Sequence, residues 1–148
     1  MLNLNQQPAA ASGPANPPAA AGGSEGRVLV ADDDPQMRRL IRNVLQREGF
    51  EVVEAEDGLD ALERLEQETV SLVLLDVDMP RLDGLGVLEE LRAQMRTASL
   101  PVIILTAHHD DTEEKALDLG AHDYLTKPVQ TRSLVARVRA VLKRASMC

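Results

Sequence analysis

The segment Leu72–Asp76, with the sequence LVLLD, places four apolar residues in succession and ends them with a carboxylate. Two further apolar runs, Val28–Val30 and Leu100–Leu105, also show no alternation of apolar and polar residues. Strands of this kind are buried on both faces, as in a parallel sheet that helices cover on either side. The three runs therefore predict the central strands of a parallel sheet.

Helical patterns separate these runs, and two weaker strand-like runs, Phe50–Val53 and Tyr124–Leu125, complete the series. Residues that favour helix ends stand between them: Asp34 as an N-cap before Pro35, and Gly49 and Gly120 as C-terminal stops. Five strand–helix units with short connections predict an α/β protein with an open, doubly wound parallel sheet and right-handed crossovers. The predicted apolar helix faces contain Met37, Leu40, Ile41, Val44 and Leu45; Leu59, Ala61, Leu62 and Leu65; Val87, Leu88 and Leu91; Ala116, Leu117 and Leu119; and Leu134, Val135, Val138, Val141 and Leu142.

Composition limits the function classes. The chain has 148 residues, of which 44% are hydrophobic and 27% charged, as expected for one globular domain. A formal net charge of -8 argues against nonspecific binding to a nucleic-acid backbone. The single cysteine, Cys148, excludes an intrachain disulfide and a multi-cysteine metal site. No apolar run reaches the length of roughly 18 residues that suggests a membrane helix, so we expect no membrane partner.

The first 26 residues differ in composition from the rest of the chain. They contain seven Ala, four Pro and four Gly, with Glu25 as the single charged residue. Neither a secretory signal nor a transit peptide fits, and we expect a cytoplasmic protein. Such a segment predicts a disordered tail, either an inert leader or a docking tether. The expected organisation is a tail at 1–26, a folded domain at 27–145 and a C-terminal end at 146–148.

Polar residues follow the predicted strands at their C-terminal ends. These ends lie along one edge of a parallel sheet, where ligands bind at the switch in strand order. Three carboxylates without His or Cys favour Mg²⁺, and a lysine and a hydroxyl suit phosphate oxygens. Asp76, which ends the central strand, is then the expected nucleophile of an aspartyl phosphate. The residues expected to converge there are Asp32, Asp33, Asp76, Thr106 and Lys127.

Structural alternatives exist for several of these residues. Asp34 is expected only to cap the first helix, and Asp32 and Asp33 could share that role. Thr106 could be an ordinary β-branched strand residue, and Lys127 a solvated loop lysine. The three histidines, His108, His109 and His122, are expected at the surface. The segment after Asp76 is no calcium loop, because Pro80 and Arg81 occupy the places of its third ligand and its glycine.

Four segments matter together and in this order: Val28–Pro35 (VLVADDDP), Leu75–Gly84 (LDVDMPRLDG), Val102–Ala107 (VIILTA) and Tyr124–Pro128 (YLTKP). Taken together, they resemble the receiver domain of response regulators in two-component signalling. The resemblance covers Arg27 to about Arg144, and it implies a flavodoxin-like fold with the sheet order 2-1-3-4-5 and five helices. The chain resembles a stand-alone, single-domain receiver, that is, a switch rather than an enzyme.

The resemblance implies a role for each matched residue. Asp76 would accept the phosphoryl group from a histidine kinase or a phosphotransfer protein. Asp33 would bind Mg²⁺ directly and Asp32 through water, and Asp76 and the backbone carbonyl of Asp78 would complete the site. Thr106 and Lys127 would contact the phosphoryl group.

The resemblance also implies switching and tuning residues. Thr106 and Tyr124 would change position on activation, and the Lys127–Pro128 peptide bond would be cis. A downstream protein would bind the surface formed by the fourth helix, the fifth strand and the fifth helix, with no direct contact to nucleic acid. The family tunes the lifetime of the phosphorylated form at the positions of Asp78 and His108.

Two other functions compete with this interpretation. A haloacid-dehalogenase-type phosphatase could use Asp76 as its nucleophile, because Asp76-Val77-Asp78 fits its Asp-x-Asp motif. Its acidic pair, however, follows the nucleophile in sequence, whereas here the pair precedes it. A degenerate receiver that binds a partner constitutively is the second alternative. The last helix carries Arg132, Arg137, Arg139, Lys143 and Arg144, which form either a basic docking face or an ordinary solvated face.

Overall fold

The computed structural model describes residues 25–107 and 111–146. Most of the expected tail, the residues His108 and His109, and Cys148 lie outside these ranges. Strands and helices alternate along the described chain. They are β1 (Arg27–Ala31), α1 (Pro35–Arg47), β2 (Glu51–Ala55), α2 (Gly58–Gln67), β3 (Leu72–Asp76), α3 (Gly84–Ala93), β4 (Val102–Thr106), α4 (Thr112–Asp118), β5 (Asp123–Thr126) and α5 (Thr131–Ser146).

All strand pairs in the sheet are parallel, and the strand order is β2-β1-β3-β4-β5. The predicted α/β class and the order 2-1-3-4-5 are therefore confirmed. Every residue of β3 and β4 is buried, as the absence of alternation in these runs predicts. The central position of β3 places its last residue, Asp76, between the ends of β1 and β4.

Helices cover both faces of the sheet and divide the core in two. Successive strand residues point to opposite faces, so Leu74 and Leu75 enter different clusters. One cluster packs α1 and α5 against the sheet through residues such as Ile41 and Val138. The other packs α2, α3 and α4 through residues such as Leu65, Leu88 and Ala116. The helices cover the two faces of the sheet, and the polar residues that follow the strands lie at the edge formed by the C-terminal strand ends.

The C-terminal stops predicted at Gly49 and Gly120 are confirmed, and the first explains why β2 begins later than predicted. Gly49 has a φ of 96°. The next amide, of Phe50, donates to the carbonyl of Leu45 at 3.0 Å, which is the Schellman closure of α1. Phe50 therefore belongs to the helix end, and β2 runs from Glu51 to Ala55 instead of Phe50 to Val53.

The start of β4 also differs from the prediction. Pro101 has no amide hydrogen, and the amide of Leu100 donates back to Thr97 in a turn at 3.1 Å. The strand therefore begins at Val102 rather than at Leu100. It ends at Thr106, where the sequence pattern places its end.

Helix faces agree with the predicted periodicity in part. Asp34 caps α1 by accepting from the amide of Gln36 at 2.9 Å, and Pro35 is the first helical residue, as predicted. Leu40, Leu59 and Leu117 belong to predicted apolar faces but are 44%, 46% and 47% exposed. Within the described ranges, none of the helices combines the length and the apolar character that a membrane span requires.

Candidate functional site: an acidic pocket at the C-terminal edge of the sheet

Three carboxylates converge beyond the ends of β1 and β3. One ligand atom from each of Asp32, Asp33 and Asp76 lies within 4.8 Å of the other two. Asp32 and Asp76 are buried, whereas Asp33 is exposed at the mouth of the pocket. At this separation each pair of negative charges repels by about 3 to 4 kcal/mol at an effective dielectric constant of 20. The pocket is therefore built to receive positive charge.

Lys127 supplies one such charge. Its Nζ lies 3.2 Å from Asp32 Oδ2 and 3.2 Å from Asp76 Oδ1. The backbone places it there, because the amide of Lys127 donates to the carbonyl of Thr106 at 2.7 Å. Burial lowers the pKa of Lys127, but the carboxylates of Asp32 and Asp76 outweigh that effect and raise it. Lys127 is thus held as a cation between two buried acids.

The carboxyl of Asp76 has an unusually high pKa. Burial raises its pKa to about 6 from the ordinary value of 3.8, and repulsion from Asp32 adds to the effect. The charge of Lys127 opposes both without cancelling them. Asp76 therefore carries a carboxylate at neutral pH that would be stabilised by a further cation.

Asp32 is oriented by two contacts at the start of α1. Its Oδ1 accepts from the amide of Asp34 at 2.9 Å. Its backbone carbonyl accepts from Arg38 Nη1 at 2.6 Å, and Arg38 Nε also donates to Glu54 at 3.0 Å. Arg38 is not among the residues that the sequence predicts for this site. No motif indicates it, and its place one helical turn after the N-cap Asp34 is the local signal that could have found it.

Thr106 and Tyr124 lie on neighbouring strands. Thr106, the last residue of β4, is fully buried, and its register partner is Thr126 of β5. Tyr124 pairs in register with Ile104 and is half-buried against the core on the side of α2, α3 and α4. The Lys127–Pro128 peptide bond that follows β5 is cis.

The loop between β3 and α3 folds back over the site. Asp78 is exposed, and its amide lies 3.4 Å from Asp76 Oδ1. The amide of Gly84 donates to the carbonyl of Val77 at 3.0 Å and closes the loop. A Cβ at Gly84 would collide with the carbonyl oxygen of Asp76, so only glycine permits this approach.

An ion pair that the sequence does not predict ties this loop to α2. Arg81 of the loop binds Asp57, the N-cap of α2, through Nη2 at 2.7 Å. An Asp before a glycine at a helix start predicts the cap. Nothing local predicts an ion pair between residues 24 positions apart.

His122, Arg137 and Arg139 have partners outside the residues of this pocket. His122 is exposed, as expected, and its Nδ1 accepts from the amide of Val102 at 3.3 Å. On α5, Arg137 binds Asp123 at 3.1 Å and Arg139 binds Glu48 at 3.1 Å. Part of the basic charge of α5 is therefore engaged within the domain, which favours the solvated-face interpretation for these two residues.

The donor set of the pocket fits Mg²⁺. Its three side-chain ligands are hard carboxylate oxygens, and Mg²⁺ is bound by one or two carboxylates, waters and phosphate oxygens. Two of the three carboxylates are buried, and burial of their charge away from water is costly. A bound cation would offset that cost. Among the described residues, this is the group of acidic side chains close enough together to hold a metal.

The sequence model of the response regulator receiver domain matches residues 28–139, which include all of these side chains. The chain belongs to the response regulator receiver domain family. Receiver domains are signalling switches of two-component systems rather than metabolic enzymes, and they bind Mg²⁺ at an acidic pocket. The phosphatase alternative finds no support in these comparisons.

Curated proteins with similar sequences include two transcriptional regulatory proteins. The chain is 42% identical over 121 residues to the transcriptional regulatory protein CpxR homolog of Haemophilus influenzae, covering 81% of this chain and 52% of that protein. It is 39% identical over 122 residues to the alkaline phosphatase synthesis transcriptional regulatory protein PhoP of Bacillus subtilis, covering 82% and 50%. The chain thus spans about half the length of the curated relatives it matches.

Solved receiver domains share the fold along nearly their whole length. The receiver domain of a Francisella response regulator superposes with a TM-score of 0.76 at 35% identity, covering 81% of this chain and 98% of that one. A CheY-like receiver domain protein of Methanospirillum hungatei superposes with a TM-score of 0.77 at 27% identity, covering 82% and 96%.

Proposed function

We propose that this receiver domain is a switch that a histidine kinase or a phosphotransfer protein phosphorylates on Asp76 in a Mg²⁺-dependent reaction. One observation carries the proposal. The buried carboxyl of Asp76 ends the central strand, 3.2 Å from Lys127 Nζ and in a cluster with Asp32 and Asp33. A nucleophile, a cation for phosphoryl oxygens and a metal-binding acidic pair thus share one pocket.

In the transfer step, a carboxylate oxygen of Asp76 attacks the phosphorus of a phosphohistidine. The P–O bond of an acyl phosphate forms as the P–N bond breaks, and the imidazole leaves with the electron pair and takes up a proton. Lys127 shifts from the carboxylates to the phosphoryl oxygens that carry the negative charge. Asp33, Asp76 and the carbonyl of Asp78 would hold Mg²⁺ directly, and Asp32 would do so through water. Bound Mg²⁺ supplies neutralisation of phosphoryl charge.

The switch is proposed to run from Thr106 to Tyr124. The hydroxyl of Thr106 donates to a phosphoryl oxygen, which gives the phosphorylated state a contact that the free state lacks. Because β4 and β5 are paired, a movement of Thr106 alters the packing around Tyr124. The surface formed by α4, β5 and α5 then changes conformation, and a downstream protein recognises this change. Signalling proceeds by partner binding or in a phosphorelay, with no direct contact between this domain and nucleic acid.

Asp78 and His108 are proposed to set the lifetime of the phosphorylated form. Asp78 is exposed, two residues after the phosphoacceptor, and in this proposal its side chain lies beside the route by which a hydrolytic water reaches the phosphorus. Its carboxylate either orients that water or repels the approach. His108 lies outside the described residues, and its proposed role rests on its position two residues after Thr106.

Incubation of the chain with acetyl phosphate or a phosphorylated kinase, with and without Mg²⁺, tests the function. We expect a hydroxylamine-labile phosphate that needs Mg²⁺ and is absent from Asp76→Ala. Asp34→Asn is the matched control, since Asn is as good an N-cap as Asp and Asp34 is exposed. Labile phosphate on Asp76→Ala would overturn the assignment, and sustained turnover of p-nitrophenyl phosphate would favour the phosphatase.

A further inference from the structure

A buried carboxylate at the start of α2 is shared between a helix cap and an arginine from the loop over the site. Asp57 is 6% exposed. Its Oδ1 accepts from the amide of Asp60 at 2.8 Å, which caps α2. Its Oδ2 accepts from Arg81 Nε at 2.9 Å and Nη2 at 2.7 Å. The amide of Asp60 lowers the pKa of Asp57, Arg81 lowers it further, and burial opposes both. The carboxylate is therefore ionised whenever the domain is folded near neutral pH.

The backbone at Arg81 is strained. Its φ is 69°, in the left-handed region that non-glycine residues rarely occupy. The amide of Leu82 donates to the carbonyl of Pro80 at 2.7 Å, so Arg81 is the central residue of a three-residue turn. The γ-turn with positive φ is rare and strained, and an arginine gains nothing from adopting it. Contacts from outside the turn would offset this strain, and the ion pair with Asp57 is one such contact.

The same loop packs its backbone against α2 and against the end of β3. A Cβ at Gly58, the residue after Asp57, would collide with the carbonyl oxygen of Leu82. At the other side, the Gly84 amide donates to Val77 at 3.0 Å, directly beyond the phosphoacceptor strand. Asp78 lies between these two anchor points, and its carbonyl is the backbone ligand of the proposed metal site.

We propose that Asp57 and Arg81 are positioning residues for Mg²⁺ binding: their ion pair holds the strained turn, and the turn holds the carbonyl of Asp78 in the metal site. The proposal rests on the proposed function, in which that carbonyl is a ligand. A contribution to overall stability does not explain the pair, because the Arg81 side chain is 57% exposed and ion pairs with an exposed partner add little. Outer residues that orient metal ligands have larger effects on affinity, typically 10–100-fold.

Calorimetric titration of the full chain with Mg²⁺ alone tests the pair. We expect Arg81→Gln and Asp57→Asn each to weaken Mg²⁺ binding about 10-fold. Asn at position 57 keeps an oxygen to cap α2. The double variant should bind no more weakly than the weaker single variant, because both changes break the same contact. The matched control is Arg27→Gln, which breaks the exposed pair of Arg27 with Glu51 at 3.0 Å, at the opposite end of β1 and β2.

A second set of measurements separates positioning from general damage. Metal-free Arg81→Gln should unfold in urea at the midpoint of Arg27→Gln, so that its loss of affinity reflects the loop. Arg81→Gly loses the ion pair but adopts a positive φ without strain, and it should therefore bind Mg²⁺ more tightly than Arg81→Gln. Equal affinities of the glycine and glutamine variants, or additive losses in the double variant, would overturn the mechanism.

The failures of the two proposals are distinguishable. If the parent chain itself binds no Mg²⁺, the proposed function is wrong. If the parent chain binds Mg²⁺ and both Arg81→Gln and Asp57→Asn bind it equally well, the proposed function stands and the positioning role of the pair is wrong.

Discussion

Asp76→Asn should make the metal-free domain more stable at neutral pH, because it removes a buried charge and keeps the shape of the side chain. Asp76 is 3% exposed, and burial followed by repulsion from Asp32 raises its pKa to about 6 from 3.8. At 1.36 kcal/mol per pKa unit, the ionised form costs the folded state about 3 kcal/mol relative to the neutral form. The side-chain amide of the variant is neutral, so the folded variant does not have this free-energy cost.

The sign and the pH window follow from the same pKa. Because the folded state holds the proton more tightly than the unfolded chain, the stability of the parent protein falls relative to the variant as pH rises. The two proteins should be equally stable below about pH 3, where the carboxyl is protonated in both states. The gap should open through about pH 6 and stay constant above about pH 7.

Urea unfolding followed by far-ultraviolet circular dichroism, in EDTA across this pH range, measures the gap. Asp34→Asn is the control: Asp34 is exposed and Asn also caps the helix, so this variant should lack the gain in stability that Asp76→Asn shows at neutral pH. Saturating Mg²⁺ should narrow the gap, because it binds the parent carboxylates more tightly than the amide. A gap that does not change between about pH 4 and pH 7, or a variant less stable than the parent at neutral pH, would refute the reasoning.

Three other outcomes are expected. Mg²⁺ at ten times its Kd should stabilise the domain by about 1.4 kcal/mol, and Asp33→Ala should abolish this gain; an unchanged melting shift in the variant would place the metal elsewhere. Beryllofluoride with Mg²⁺ should move the NMR resonances of residues 106–128, and an unaltered spectrum there would count against the proposed switch. Asp78→Asn or His108→Ala should change the decay rate of the phosphorylated protein at least several-fold while phosphorylation remains, since about 1.4 kcal/mol of barrier is tenfold in rate; decay of both variants at the parent rate would remove their tuning role.

The sequence predicts which residues lie at the C-terminal edge of the sheet better than it predicts where strands and helices begin and end. Apolar runs without alternation reveal the buried strands, and the residue after each run must lie at the common edge. On this basis, the sequence predicts that Asp32, Asp76 and Lys127 lie near one another. The start of β2 is mispredicted because Phe50 is apolar for another reason: it closes α1 and packs under the helix end.

Local sequence patterns do not predict contacts between residues that are far apart in the chain. Arg38 reaches the carbonyl of Asp32 and Arg81 reaches Asp57 only because α1 and the loop after β3 pass beside them. An arginine has many acidic partners within reach along a chain with 24 acidic residues. Which of them it meets depends on the packing of elements, and the sequence alone does not choose.

By itself, then, the sequence determines the parallel α/β sheet, the cap of α1 and the residues that follow the strands at the C-terminal edge of the sheet, because these depend on short-range hydrogen bonding and on the period of apolar residues. The tertiary structure decides the raised pKa of Asp76 and the ion pair that holds Arg81 in a strained turn. Both depend on distance and on exclusion of water. Asp76 is destabilised as an anion because the sheet buries it beside Asp32, and Arg81 meets Asp57 because α2 packs beside the loop that follows β3.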